Sequence, residues 1–406
     1  MKILVIMQFF QPEPVLRGLS LMKELQKLGN DIEVLTGFPN YPQGKIYQGY
    51  KQKLIKREIM DGVKVTRIPL YPSHDSNGVR RILNYLSFSI SCLLIGPFIV
   101  KKPDIIYAYH PPATIFLPSI FFKLLYRKPC IFDIQDLWPD TLFSTAMLSN
   151  SILFYAIDYF CKIAYCFADK ILVISPGFKR VLQCRGVPAK KISVVFNWAD
   201  DNSIHIHSEK TEYISRLAFE DYFTIMFAGN MGKAQALSSV IEAAALVENI
   251  NNKVRFIFVG DGVEEEALKK KVKTLNLTNT IFLPRQPIEK IGDMLSRADV
   301  LLVHLKNDPL FEITIPSKIQ TYLSIGKPIL AAVKGDAANL VIASHSGMVC
   351  QPEDPEGIAR AVILMASTDK KVLEEMGKNG KEYYINNLSL SIGARNIKSN
   401  ILDLLK

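Results

Sequence analysis

At 406 residues, 49% of them hydrophobic and 22% charged, the chain has enough apolar material for two ordinary cores, which excludes a disordered or fibrous protein. The six cysteines (Cys92, Cys130, Cys161, Cys166, Cys184 and Cys350) include no C-x-x-C pair and fit a reducing cytoplasm, and the opening Met1-Lys2-Ile3-Leu4-Val5-Ile6-Met7 reads as a first strand instead of an export signal. The net charge of +10 lies entirely in one half: residues 1–205 hold 25 Lys/Arg against 15 Asp/Glu, and residues 206–406 hold 24 of each. That surplus calls for a polyanionic partner of the first half, a nucleic acid or an anionic membrane.

In chain order, strand 2–7, a helix near 15–28 and strand 31–36 begin a parallel α/β pattern. Residues 37–52, rich in Pro, Gly and Tyr, form a binding loop. Strands near 54–58 and 63–68 are split by Asp61-Gly62, a hairpin signal. Arg80-Arg81, nineteen largely apolar residues from Ile82 to Val100, and Lys101-Lys102 give the strongest membrane signal in the chain. It is diluted by Asn84, three serines, Gly96 and Pro97. A helix lying in the interface is favoured, with the four cations on lipid phosphates; a buried core helix and a spanning helix are the alternatives. The cations flank apolar stretches instead of tracking a stripe with stacking aromatics, so no nucleic acid is expected. Apolar stretches 115–126 and 152–167 add to the adhesive face. Strands at 104–108, 130–133, 170–174 and 192–195, alternating with helices 113–126, 150–168 and 176–185, complete a domain of six or seven parallel strands over residues 1–200.

Residues 201–220 read as a linker, in which His205 and His207 are either a metal pair or solvated residues without a role. The pattern restarts over 221–385 with strands 222–228, 254–259, 280–283, 300–304 and 329–333 between helices, and a C-terminal helix over 386–406 is expected to return towards the first domain. The fold class is α/β: two Rossmann-like, doubly wound domains facing a cleft, with ligands at the C-terminal ends of the strands.

The chemistry concentrates where strands end. Pro316-Ser317-Lys318 opens a three-turn helix stopped by Gly326 and Pro328, and no carboxylate stands in its first turn. Free N–H groups, the positive end of the dipole and an ammonium therefore converge where a diphosphate fits; an ordinary capped helix is the plain alternative. Gly229-Asn230-Met231-Gly232-Lys233 follows the first strand of this half, with glycines for close backbone approach and Lys233 within reach of a phosphate. Gly260-Asp261-Gly262 precedes three glutamates that repel phosphate, so it suits a sugar hydroxyl. Arg285, in a Pro-flanked turn, presents a cation to a base or phosphate, or is a surface arginine. In the first half the cleft-facing loops are Gln8–Arg17, Tyr107–Pro112 and Asp133–Asp140. His110 ends a strand, and Asp136-Leu137-Trp138-Pro139-Asp140 joins carboxylates to an indole able to stack on a pyranose, unless Trp138 simply packs.

These motifs together resemble the retaining GT-B glycosyltransferases of family 4, and Asp136-Leu137-Trp138-Pro139-Asp140 with Ala228-Gly229-Asn230 and Ala234-Gln235 is similar to bacterial O-antigen and capsule N-acetylfucosaminyl (FucNAc) transferases. The resemblance implies a UDP-sugar donor, an undecaprenyl-diphosphate-linked sugar acceptor, no cofactor or metal, and a peripheral position on the cytoplasmic face of the bacterial inner membrane. It implies His110 and Asp136 as catalytic residues and Arg17 and Trp138 as acceptor contacts. Gly229, Asn230, Lys233, Gln235, Gly260, Asp261, Gly262, Arg285, Pro316, Ser317, Lys318 and Thr321 would hold the donor. The chain departs from the family's E-x7-E pair: Ile313 and Thr321 stand at its positions, with Glu312 one residue off. Asn230 and Gln235 replace the usual Arg and Lys. The rivals are a UDP-sugar 2-epimerase of the same fold and an inactive scaffold.

Overall fold

The computed structural model describes residues 1–73, 78–144, 150–200 and 219–406, so the linker histidines His205 and His207 lie outside the described residues. The chain divides into two compact units, Met1–Phe196 with Leu390–Lys406, and Asn197–Ser389. The sequence reading had put these boundaries near 200 and 386.

The first unit is built on an eight-stranded sheet in the order β3-β4-β2-β1-β5-β6-β7-β8. Its strands are β1 Lys2–Ile6, β2 Asp31–Gly37, β3 Lys56–Met60, β4 Val63–Ile68, β5 Ile105–His110, β6 Cys130–Ile134, β7 Lys170–Val173 and β8 Ile192–Val194. Only β3 runs antiparallel, joined to β4 by Asp61 (φ 47°) and Gly62 (φ 87°), the paired positive φ values that a tight hairpin turn requires. The central strands are buried along nearly their whole length because helices cover both faces, and most of their residues are apolar. The β1-to-β2 crossover runs one way along the sheet and the β4-to-β7 connections run the other. Right-handed crossovers therefore place Leu19–Lys27 on one face and helices Gly78–Ile99, Phe116–Tyr126 and Ser151–Phe167 on the opposite one. The terminal helix Leu390–Leu405 packs on Leu19–Lys27, where Lys398 Nζ donates to the Leu28 carbonyl at 2.6 Å.

Helix Gly78–Ile99 is long and apolar enough to cross a membrane, yet it seats one stripe on this unit: Asn84, Phe88, Ser89, Cys92 and Gly96 are buried. Gln8 Nε2 donates to Asn84 Oδ1 at 2.6 Å, and Ser89 Oγ donates to the Thr114 carbonyl at 2.8 Å. Both ends of the helix feed strands of one sheet, which corrects the spanning alternative. Its opposite stripe, Val79, Leu83, Ile90, Leu94 and Phe98, is exposed.

The second unit holds six parallel strands in the order β11-β10-β9-β12-β13-β14. They are β9 Phe223–Ala228, β10 Val254–Val259, β11 Thr280–Leu283, β12 Val300–His304, β13 Ile329–Ala332 and β14 Gly347–Cys350. β14 was missed in the sequence, where only helical patterns were expected beyond residue 333. It is a four-residue, half-buried edge strand whose apolar run, Met348-Val349-Cys350, is too short to stand out. The strand order reverses between β9 and β12, the place where open α/β sheets leave a crevice.

Candidate functional site

A cavity of about 1040 Å³ opens at the C-terminal ends of β9, β10 and β11 and is lined in part by Gly229, Asn230, Gly260, Asp261, Arg285, Ser317, Lys318 and Thr321. Helix Ser317–Ile325 points its start at this space. Pro316 stands just outside as the N-cap with φ −67° and ψ 138°, one position earlier than expected, and no side chain caps the helix. Gly326 ends it in the left-handed conformation, φ 81°. The free N–H groups of the first turn thus remain available to a ligand.

Lys318 dominates the electrostatics. Its Nζ lies 4.6 Å from the centre of the Phe227 ring, and among the described residues no carboxylate pairs with it. Burial pulls its pKa down to about 8. An ammonium held this way is destabilised until an anion arrives. Space for it exists because residue 229 is glycine: a Cβ there would stand 2.7 Å from Lys318 Cε. Gly260 is equally constrained, with φ +144° and a hypothetical Cβ 2.1 Å from the Gly229 carbonyl oxygen, so the two turns can stack only as glycines. Tyr322, one turn after Lys318, accepts a hydrogen bond from Ala228 N at 3.1 Å and ties the helix to the end of β9.

The structure brings Gly229, Asn230, Gly260, Asp261, Arg285, Ser317, Lys318 and Thr321 to the cavity, and leaves Lys233, Gln235, Gly262 and Pro316 off its lining. Lys233 is exposed in a short turn that is fixed elsewhere. His304 Nδ1 donates to the Gln235 carbonyl at 2.7 Å, Lys306 N donates to the Ala234 carbonyl at 2.9 Å, and Gln235 Oε1 accepts from Gly232 N at 3.1 Å. Gln235 is therefore a capping residue, and Gly262 packs against Met231. Arg285 reaches Asp261 only at 3.9 Å, with both side chains mostly exposed at the rim. Gln286, Pro287, Ile291, Leu295 and Tyr322 also line the space; the i, i+4 spacing of Lys318 with Tyr322 was the available signal.

The first unit is closed where the sequence anticipated contacts. Arg17 is completely buried, its guanidinium 2.9 Å from Asp133 Oδ1 and donating to the Val195 carbonyl, while Tyr107 Oη and Gln135 Nε2 also donate to Asp133. This corrects its assignment to an acceptor: its donors are spent on a buried carboxylate and a carbonyl. His110 is likewise completely buried, stacked on Phe116 at 5.3 Å and edge-on to Trp138 at 5.5 Å, with no hydrogen-bond partner on either ring nitrogen among the described residues. Burial lowers its pKa to about 3, so the imidazole is neutral near pH 7. Trp138 is only 8% exposed, and packing is its observed role. Asp136 remains half-buried, and burial raises its pKa to about 6. Arg80, Lys101 and Lys102 are exposed and Arg81 is half-buried. Glu312 is exposed on the short helix Pro309–Glu312, and no group of three or more metal-ligating side chains occurs among the described residues.

Comparison with known proteins agrees with this geometry. Residues 209–383 match the family of glycosyl transferases group 1, and residues 17–198 match a glycosyl transferase 4-like domain. The chain is 25% identical to the putative colanic acid biosynthesis glycosyl transferase WcaI of Escherichia coli K12, over 90% of this chain and 93% of that one. It is 23% identical to the probable glycosyltransferase WbjE of Pseudomonas aeruginosa, over 72% of this chain and 73% of that one. Among solved structures it superimposes on HepE of Anabaena in complex with UDP with a TM-score of 0.72 at 16% identity, covering 99% of this chain and 100% of that one. With each half matched to its own glycosyltransferase domain, group 1 for the second and 4-like for the first, and the second sheet ending in an anion-ready cavity, the chain is a glycosyltransferase of the GT-B fold.

Proposed function

We propose that the enzyme moves a sugar from a UDP-sugar to a lipid-linked acceptor, undecaprenyl-diphosphate-GlcNAc or a close relative, in O-antigen or capsule biosynthesis. The carrying observation is Lys318: an ammonium with no counter-ion among the described residues, at an acid-free helix start, in a cavity large enough for a nucleotide sugar. HepE, a protein of the same fold, binds UDP and UDP-glucose. WcaI belongs by its name to a polysaccharide pathway. The motif resemblance makes N-acetyl-L-fucosamine the first sugar to test.

In this reading the anomeric C–O bond to the diphosphate breaks as the acceptor hydroxyl oxygen bonds to the same carbon, and the hydroxyl proton passes to the departing diphosphate. Lys318 and the N–H groups at Ser317 hold the negative charge that develops, so the protein acts by positioning and charge stabilisation and needs no metal or cofactor. Thr321, one turn further along the helix, meets the ribose. Asp136 orients the acceptor.

The same reading places the enzyme on the cytoplasmic face of the inner membrane. Exposed apolar side chains on three helices of the first unit, Leu94 and Phe98, Leu124 and Leu125, Ile152 and Tyr155, fit a lipid surface, and Arg80, Lys101 and Lys102 stand at the ends of the first of these helices.

The test is turnover of a UDP-sugar panel, including UDP-N-acetyl-L-fucosamine, with undecaprenyl-diphosphate-GlcNAc. Transfer with release of UDP is expected. Interconversion of UDP-sugars without acceptor would establish an epimerase, and absence of both UDP binding and turnover would establish a scaffold.

A further inference from the structure

The basic surplus of the first half has a second concentration away from the long helix. Residues 45–57 hold five cations, Lys45, Lys51, Lys53, Lys56 and Arg57, and no carboxylate. Between them stand Leu54, 67% exposed, and Ile55, 36% exposed. Exposed aliphatic pairs inside a cationic loop are costly in water and are favoured where cations meet phosphates and aliphatics meet acyl chains.

The loop is held in this arrangement. Gln52, between the two outward lysines, turns inward and accepts a hydrogen bond from Leu70 N at 2.9 Å. The Tyr50 ring is covered by Lys56 Nζ at 4.1 Å and faced by the Arg67 guanidinium at 5.0 Å. The neighbouring Tyr71 donates its N–H to Ser87 Oγ at 2.8 Å and accepts from Asn84 Nδ2 at 2.6 Å. Residues 51–55 are thereby joined through 70–71 to helix Gly78–Ile99, and Tyr71, Ile82 and Leu83 are likewise exposed.

We propose that residues 51–55 are a second membrane contact: Leu54 and Ile55 insert at the acyl boundary, and Lys51 and Lys53 rest on the phosphates of anionic phospholipid. The proposal rests on the membrane reading of helix 78–99 and adds to it a second point of attachment, which fixes how the first unit tilts on the bilayer. Both lysines lack a carboxylate partner among the described residues, so neither must break an ion pair to bind lipid.

Full-length protein is floated with vesicles of equal parts phosphatidylcholine and phosphatidylglycerol. Leu54→Ser with Ile55→Ser lowers partitioning roughly tenfold, as expected for withdrawing two aliphatic side chains from the acyl boundary. Lys51→Gln with Lys53→Gln weakens binding at low salt and has little effect at high salt. In Leu54→Trp, the new indole shifts to the blue on vesicle addition and is quenched by brominated lipid. If the serine variant floats like wild type and the new indole does not shift, while Arg80, Arg81, Lys101 and Lys102 changed together to Gln abolish flotation, the tip is overturned and the helix reading stands. A wild type that stays soluble at low salt overturns both. Loss of RNA binding in the glutamine variant, with flotation unchanged, would assign the loop to nucleic acid and overturn the lipid assignment.

Discussion

The two units end their sheets in opposite ways. In the second, Lys318 stands in an open cavity with an aromatic ring beside it and no counter-ion among the described residues; in the first, Arg17 is sealed against Asp133 with no exposure. Both are cations near the C-terminal end of a parallel sheet, and both looked like ligand contacts in the sequence. What separates them is whether the chain itself provides the anion. A cation already neutralised inside the protein is architecture, and one left desolvated and unpaired is waiting for a ligand.

The sharpest way to break this contrast is to truncate each cation. Arg17→Ala leaves Asp133 buried without its partner, and loss of one member of a buried pair costs about 3–5 kcal/mol. Denaturant unfolding should show that loss. A midpoint within error of wild type would mean that the pair is not structural. Lys318→Ala should leave the midpoint nearly unchanged, because a depressed lysine contributes little to stability. It should lower kcat/KM ten- to a thousandfold, equivalent to roughly 1.4–4 kcal/mol of transition-state stabilisation. Full turnover in a folded Lys318→Ala variant would remove the phosphate assignment.

Why the sequence distinguished these cations so poorly is physical. The start of helix Ser317–Ile325 was legible because its signals are local: proline before, glycine after, and no acid in between. The hairpin at Asp61-Gly62 was legible for the same reason. The partner of Arg17 lies 116 residues away on β6, and nothing in the Gln8–Arg17 stretch announces it. His110 was placed correctly at a strand end, but its burial is decided by Phe116 and Trp138, and Trp138 comes from another loop. Lys233 was drawn to the phosphate by its Gly-Gly setting, yet the turn is oriented by His304 and Lys306 from β12 and the residues after it. Local punctuation survives into the fold, and long-range pairing decides which charges remain free.

A third measurement sharpens the comparison through pH. Lys318 titrates near 8 in the folded protein, below the ordinary value of 10.5. Between those values the unfolded chain binds the proton and the folded protein does not, so the contribution of Lys318 to stability rises with pH across that window. UDP binding runs the other way. The diphosphate favours the ammonium, so affinity is full below pH 8 and weakens as pH rises above it, up to tenfold per unit until the pKa of the complex is reached. Calorimetric titration at pH 7 and pH 9 checks this, with Lys318→Met as the control that should flatten the difference. Equal affinities in wild type would show that Lys318 does not meet the diphosphate.

The smallest expected effect concerns Thr321, which lies on the cavity lining where the family resemblance expects a carboxylate on the ribose. A Thr hydroxyl offers one neutral hydrogen bond, whereas a carboxylate offers two charge-assisted acceptors. Thr321→Glu should therefore tighten UDP by a few-fold to about tenfold, on the order of 1 kcal/mol. The position has a competing partner, because residue 321 is three after Lys318 on one helix face and the new carboxylate can pair with that ammonium. The two outcomes separate cleanly. If the carboxylate reaches the ribose, UDP tightens and deoxyuridine diphosphate, which lacks the 2′ hydroxyl, gains less. If it neutralises Lys318 instead, UDP and deoxyuridine diphosphate weaken together and the alkaline loss of affinity moves to higher pH, since a neighbouring carboxylate raises the lysine pKa. The second result, in a variant that unfolds like wild type, would place the ribose away from Thr321. It would also turn the open cavity into a copy of the Arg17–Asp133 arrangement, with an internal anion where the ligand's should be.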